Sequence, residues 1–308
     1  MSVGTVSVAL KNAAKTIGEG PHWDDKNQTL YYVDILSGVV ASWKPATGEE
    51  SQIKLDNPLS LVVPSTKGDF IVSLGRKLVR LDWEKQEVTS VLAEVDQGTK
   101  NRFNDGKCDP SGRLWAGTMG YETVPAQPER QMGSLFSLST GCTLAKHVDK
   151  IDISNGLAWS NDNTIMYYID SVPRKVYAFD FDINAGAISN QRTAIDFNTQ
   201  PEGGLKEHGF PDGMCIDVEG KLWVACYKAG KVVRFDPVTA KQIQEVTFPA
   251  ERITSCCFGG PNLDELYVTS GVQGCTEEEL KNEQALAGSV FKVTGLGVKG
   301  TPCQNFQG

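Results

Sequence analysis

Six times along the 308 residues, a turn rich in Gly, Asp, Asn and Pro precedes a short apolar or aromatic strand. The first three copies are His22-Trp-Asp-Asp with Tyr31-Tyr-Val-Asp34, Val62-Val-Pro-Ser with Ile71-Val-Ser-Leu74, and Cys108-Asp-Pro-Ser-Gly-Arg-Leu-Trp-Ala-Gly-Thr-Met119. The last three are Ala158-Trp-Ser-Asn with Tyr167-Tyr-Ile-Asp170, Cys215-Ile-Asp-Val-Glu-Gly-Lys-Leu-Trp-Val-Ala-Cys-Tyr227, and Cys257-Phe-Gly-Gly with Tyr267-Val-Thr-Ser270. The copies start roughly 40 to 57 residues apart, the spacing of four-stranded propeller blades. The chain is therefore expected to be all-β, a single six-bladed β-propeller spanning residues 1–308. Such an array places equivalent positions of every blade in a ring around one axis. Three residues before the block starts lie Glu19, Leu59, Asp105, Asn155, Asp212 and Thr254, and four of these are carboxylate or amide oxygen donors.

The bulk properties narrow the partners. A formal charge of −8, with no run of Lys and Arg, argues against nucleic acid. The opening Met1-Ser-Val-Gly-Thr-Val-Ser-Val-Ala-Leu-Lys lacks the apolar run of a secretory signal. No apolar stretch approaches the ~18 residues of a membrane span. The final Asn305-Phe-Gln-Gly308 is neither a peroxisomal nor an ER-retention address. A cytoplasmic monomer without membrane contact is expected. The eight cysteines form no Cys-x-x-Cys and have no His at zinc spacing, so they read as reduced structural thiols. Asn27-Gln-Thr29 matches a glycosylation sequon by pattern only.

Strands are expected at 29–33, 70–74, 77–81, 113–116, 134–138, 175–179, 221–226, 231–235, 265–269 and 289–293, each bounded by turn residues. One short acidic helix is expected over Thr276 to Leu286. The longest departures from the repeat, Tyr121–Met132 and Asn198–Phe210, read as loops over one face of the disc, where function tends to sit.

Several motifs have plain readings. Gly295-Leu-Gly297-Val-Lys-Gly300 fits a dinucleotide fingerprint, but no room remains for the helix it requires, so it reads as a closing turn. Asp180-Phe-Asp182-Ile-Asn184 begins like a calcium loop, then puts Ala185 where Gly is needed and Gln191 where a bidentate Glu belongs. It reads as a blade-edge turn. His22, His147 and His208 lie in unrelated contexts and no nucleophile elbow is present, so nucleophilic Ser or Cys catalysis has no support. His22 reads as a structural polar residue.

The ring is what remains. Glu19 sits in Gly18-Glu-Gly-Pro21, Asn155 in Ser154-Asn-Gly156 and Asp212 in Phe210-Pro-Asp-Gly-Met214, each beside a glycine. Two carboxylates and an amide oxygen form a hard donor set suited to Ca²⁺, Mg²⁺ or Mn²⁺. The competing reading is that Asp-Gly and Asn-Gly are ordinary turn signals.

The same residues carry a likeness. The chain resembles the SMP-30/gluconolactonase family, and within it the regucalcin branch, over nearly its whole length. The stretches that carry it include Asn101-Arg-Phe-Asn-Asp-Gly-Lys-Cys-Asp-Pro110, Asp152-Ile-Ser-Asn-Gly-Leu157, Pro211-Asp-Gly-Met-Cys-Ile-Asp217 and Thr254-Ser-Cys-Cys-Phe-Gly-Gly260. The resemblance implies one divalent cation in the channel, Ca²⁺ first, with Zn²⁺, Mg²⁺ or Mn²⁺ as alternatives. It implies hydrolysis of a small-molecule sugar lactone such as gluconolactone. It places metal ligands on Glu19, Asn155 and Asp212, the catalytic acid/base on Asp212, and substrate contacts on Arg102, Asn104 and Glu122. Around the first ligand the chain reads Gly-Glu-Gly-Pro-His-Trp, which is similar to the insect members, including firefly luciferin-regenerating enzyme. An activity on oxyluciferin, or a non-catalytic calcium-binding role, is the alternative expectation.

Overall fold

The computed structural model describes residues 4–124, 127–200 and 204–308, and only the backbone of Lys206. Six antiparallel four-stranded sheets stand around one axis, so the chain is a six-bladed β-propeller. Blade I comprises Gly18–Asp24, Thr29–Asp34, Val39–Lys44 and Glu49–Lys54 from the axis outward, and blade II begins with Val62–Pro64. Blade III opens on Arg102–Cys108, blade IV on Ser154–Trp159 and blade V on Phe210–Ile216. Blade VI breaks chain order: Ile253–Gly259, Glu265–Ser270 and Val290–Thr294 are completed by the N-terminal strand Thr5–Leu10. Joining the first strand of the chain to its last blade closes the circle and leaves no open inter-blade edge.

The strands predicted from the sequence all form, with ends shifted by a residue or a few. The reason they pack is visible at the blade junctions. Each of six apolar clusters joins two neighbouring blades, for example Trp115 of blade III with Trp159 of blade IV, and Trp223 of blade V with Phe258 of blade VI. The closing junction stacks Trp23 of blade I on Tyr267 of blade VI, ring centroids 5.4 Å apart.

The repeated turns have a physical content. In blade III the Asp109 carboxylate accepts from the Ser111 and Arg113 amides and from the Trp115 indole at 3.0 Å. In blade V Asp217 does the same with Glu219, Lys221 and Trp223. The buried carboxylate thus folds the turn and fixes the tryptophan of the next strand. The second-strand aspartates act at the other end. Asp34 caps the amides of Lys15, Thr16 and Ile17, and Asp170 those of Asp152 and Ile153, just where the chain enters an inner strand.

Two expectations change. The segments read as loops carry structure: Glu122–Val124 and Gln127–Pro128 form a short antiparallel ribbon, and Leu205–His208 is one helical turn. Residues 125–126 and 201–203 of those segments lie outside the described residues. The acidic helix is shorter than expected, Glu277–Lys281. Thr276 caps it and exchanges hydrogen bonds with Glu279, a capping box. Gly295 and Gly297 have φ of 74° and 76° and form the closing turn, with no helix after them. Asp182 likewise caps a turn between two strands of blade IV.

Candidate metal and substrate site

Five of the six inner strands carry the same irregularity. Their pairing with the second strand shifts register between Glu19 and His22, Phe103 and Asp105, Ser154 and Leu157, Pro211 and Met214, and Ile253 and Ser255. A bulge leaves a residue out of the ladder and re-aims its side chain. The ring positions Glu19, Asp105, Asn155, Asp212 and Thr254 sit at or inside these bulges. Glycine is needed beside them. A Cβ on Gly156 would lie 2.7 Å from the Met214 amide and 2.9 Å from the Asp212 carbonyl, so Gly156 lets the inner strands of blades IV and V approach.

The bulges open into a cavity of about 480 Å³ lined by Glu19, Asn155, Asp212, Arg102, Asn104 and Glu122. The structure therefore brings every sequence-selected site residue into one space. Not every ring member contributes. Leu59 is apolar and buried, and the Thr254 hydroxyl is used within the protein, donating to the Gly18 carbonyl. Asp105 is buried and accepts from the Gly106 amide at 2.7 Å.

Asn155 is the informative member. Its Nδ2 donates to the Ser171 hydroxyl at 2.9 Å, while its buried Oδ1 has no hydrogen-bond partner. A buried acceptor left unpaired is costly, roughly 1–3 kcal/mol. Two carboxylates share its neighbourhood. Burial, then Asp212 and Asp105, push the Glu19 carboxyl well above its ordinary range. Burial and Asp105 do the same to Asp212. Burial raises Asp105 itself to about 6, against the pull of Lys107. A cluster of acids that resists ionising for want of positive charge is what a hard cation relieves. Among the described residues, no three of His, Cys, Asp and Glu come together as a ligand group. A three-donor site therefore depends on the Asn155 amide oxygen joining Glu19 and Asp212, and that oxygen is the unpaired one.

Arg102 is held beside this cluster. Its guanidinium donates to Asn104 Oδ1 at 2.7 Å and pairs with Glu122 at 3.4 Å, while Asn104 Nδ2 donates to the Ser154 carbonyl at 2.8 Å. Asn104 thus serves as the bracket that fixes Arg102. His22 is where a structural role puts it, with Nε2 3.1 Å from Asn305 Oδ1 at the other end of the channel. Sequence reasoning missed Ser171, although it ends the motif Tyr167-Tyr-Ile-Asp-Ser171, and it missed the aromatic wall made by Phe210 and Tyr227.

Comparison with known proteins gives the family and agrees with the fold. The family described as SMP-30/Gluconolactonase/LRE-like region matches residues 17–272. Regucalcin from Gallus gallus is 47% identical over 293 residues, 95% of this chain and 95% of that protein. Regucalcin from Homo sapiens is 47% identical over 292 residues, 94% and 95% of the two chains. A solved luciferin-regenerating enzyme superposes with a TM-score of 0.88 at 37% identity, covering 99% of both chains. A calcium-binding regucalcin from Agrobacterium tumefaciens gives 0.87 at 25% identity, covering 98% of this chain and 97% of that one. With the family matched across most of the propeller and its blade architecture reproduced, the chain belongs to the SMP-30/gluconolactonase/LRE-like family.

Proposed function

We propose that the protein is a divalent-cation-dependent hydrolase that opens small sugar lactones such as gluconolactone, acting as a cytoplasmic monomer. The observation that carries this reading is the buried, unpartnered Asn155 Oδ1 on a residue that lines one cavity with the Glu19 and Asp212 carboxylates. No helix of the described residues is long and apolar enough to cross a membrane, and the charge of −8 disfavours nucleic acid.

Glu19, Asn155 and Asp212 would hold the cation, Ca²⁺ first and Zn²⁺, Mg²⁺ or Mn²⁺ as alternatives. When bound, it supplies the positive charge that polarises a lactone carbonyl and offsets charge growing on its oxygen. Asp212 takes a proton from the attacking water as the water oxygen bonds to the carbonyl carbon. It returns that proton to the ring oxygen as the carbon–oxygen bond breaks, leaving the open hydroxy acid. Arg102, fixed by Asn104, presents a fork of donors to substrate oxygens. Glu122 accepts from a substrate hydroxyl.

The test combines cation titration with acid release from gluconolactone. Cation-dependent release that is abolished by a chelator and by Asp212→Ala is the expected result. Undiminished release after chelation, or in that variant, overturns the reading.

A second reading has its own observation. Phe210 and Tyr227 line the cavity together with Ile17, Ile35 and Met119, an apolar and aromatic surface for a sugar site. It favours a larger aromatic substrate, in the manner of luciferin-regenerating enzyme on oxyluciferin. Cation binding with no turnover of either substrate class would instead support a calcium-binding protein without catalysis.

A further inference from the structure

The opposite end of the channel holds a second cavity, about 190 Å³, lined among others by Lys107, Cys215, Cys257 and Cys303. The inner strand of blade V supplies Cys215, that of blade VI supplies Cys256 and Cys257, and the C-terminal segment lays Cys303 beside them. That segment is a strap across the back of the disc. Gly300 bridges to Asp217 of blade V. Phe306 bonds to the Pro64 carbonyl of blade II at 2.9 Å, and Gln307 bonds to the Gly112 carbonyl of blade III at 3.1 Å. Between these tethers the strap forms no ladder around Cys303. Cys257 is buried and Cys303 is partly exposed, and the two side chains pack in one cluster and line one cavity. Among the described residues these thiols complete no metal-ligand group.

We propose that Cys257 and Cys303 are a peroxide-reactive pair whose disulfide latches the C-terminal strap onto the last blade. Cys303 is the attacking sulfur. The neighbouring Cys257 thiol, with His22 and Lys107, holds its thiol well below the ordinary range. Burial pushes Cys257 up and keeps it protonated. The Cys303 thiolate bonds to one oxygen of hydrogen peroxide as the O–O bond breaks. This gives a sulfenic acid and hydroxide, and the hydroxide takes up the proton that Cys303 had lost. The Cys257 sulfur then attacks the Cys303 sulfur, its proton leaves with the departing hydroxyl, and a second water is released. Two thiols and one peroxide become one disulfide and two waters.

The neighbouring Cys215–Cys256 pair is a poorer candidate, although its sulfurs are 3.6 Å apart. A disulfide needs about 2.05 Å, and both residues sit on laddered strands of different blades, whereas Cys303 lies outside any ladder.

The experiment treats the reduced full-length protein with hydrogen peroxide, alkylates the remaining thiols and maps peptides without reduction. Fragmentation between Cys256 and Cys257 assigns the bond. The expected result is a Cys257–Cys303 cross-link lighter by about 2 Da, reversed by dithiothreitol, with a higher melting temperature than the reduced protein. Cys303→Ser should fold, form no cross-link and show no peroxide-dependent rise in melting temperature. Recovery of all thiols, a Cys215–Cys256 bond, or sulfinic acid on Cys303 with Cys257 untouched overturns the proposal.

Discussion

The Asn155 amide nitrogen donates to the Ser171 hydroxyl at 2.9 Å, and the Asn155 carbonyl oxygen is left buried with no hydrogen-bond partner in the protein. In the proposed site the hydroxyl would decide which end of the amide faces the cation. Ser171→Ala removes it and lets the amide rotate. Calorimetric titration should show divalent-cation affinity falling about tenfold, the lower end of what loss of an outer ligand-orienting partner costs. Ser171→Thr keeps the hydroxyl and should keep most of the affinity. Unchanged binding in the alanine variant would leave Asn155 oriented by packing alone.

Asn155→Asp replaces the neutral donor with a carboxylate beside two others. The chelated protein should melt lower, because burial and like charge already oppose ionisation of Glu19 and Asp212. Divalent ions should raise its melting temperature by more than they raise that of the parent. An equal rise in both proteins, read by differential scanning calorimetry, would return Asn155 to the role of a turn residue.

Arg102→Ala should cost at least about tenfold in kcat/KM on a lactone, roughly 1.4 kcal/mol of transition-state stabilisation. Cation affinity should stay near that of the parent, because Arg102 bonds to Asn104 and Glu122 and to none of the three proposed ligands. Asn104→Ala should reproduce part of this loss by freeing the guanidinium. Loss of cation binding with full turnover at saturating cation would contradict the assignment.

The buried acids set a pH dependence for the chelated protein. Asp105 and Asp170 are each raised from 3.8 to about 6 by burial. A raised carboxyl binds its proton more tightly in the folded state. Its contribution is complete below the unfolded value and is lost as pH rises through the folded one. Stability in chelator, read from the melting temperature, should therefore fall between about pH 4 and pH 6, by on the order of 3 kcal/mol for each such group. Asp105→Asn should flatten the curve, and saturating divalent cation should too. A stability that rises over this interval would show that other groups dominate.

Asp217→Ala tests the repeat itself. The carboxylate is fully buried and is shared by the Trp223 indole and the Arg234 guanidinium at 2.9 and 2.8 Å. Its removal strands the buried Trp223 indole N–H and leaves the Arg234 guanidinium to Glu219 alone, and should destabilise the protein by about 1–3 kcal/mol, seen as an earlier urea midpoint.

Much of this was legible without coordinates because the determinants are local and periodic. The Asp-to-Trp turns, the apolar strands and the block spacing gave six blades, and one repeat phase gave Glu19, Asn155 and Asp212. The resemblance added Arg102, Asn104 and Glu122, all of which line the same cavity.

The repeat phase alone could not say which donors stay available. Thr254 shares it, yet its hydroxyl is taken by the Gly18 carbonyl of the neighbouring blade. That outcome depends on how the bulge aims its side chain against the neighbouring blade. Cys303 beside Cys257 is likewise a contact between residues 46 positions apart in the chain. A repeat dictates which residues occupy equivalent places in each blade. Closure of the ring, and the path of the chain's last residues across it, decide what those places touch, because such contacts join blades and termini that no local pattern relates.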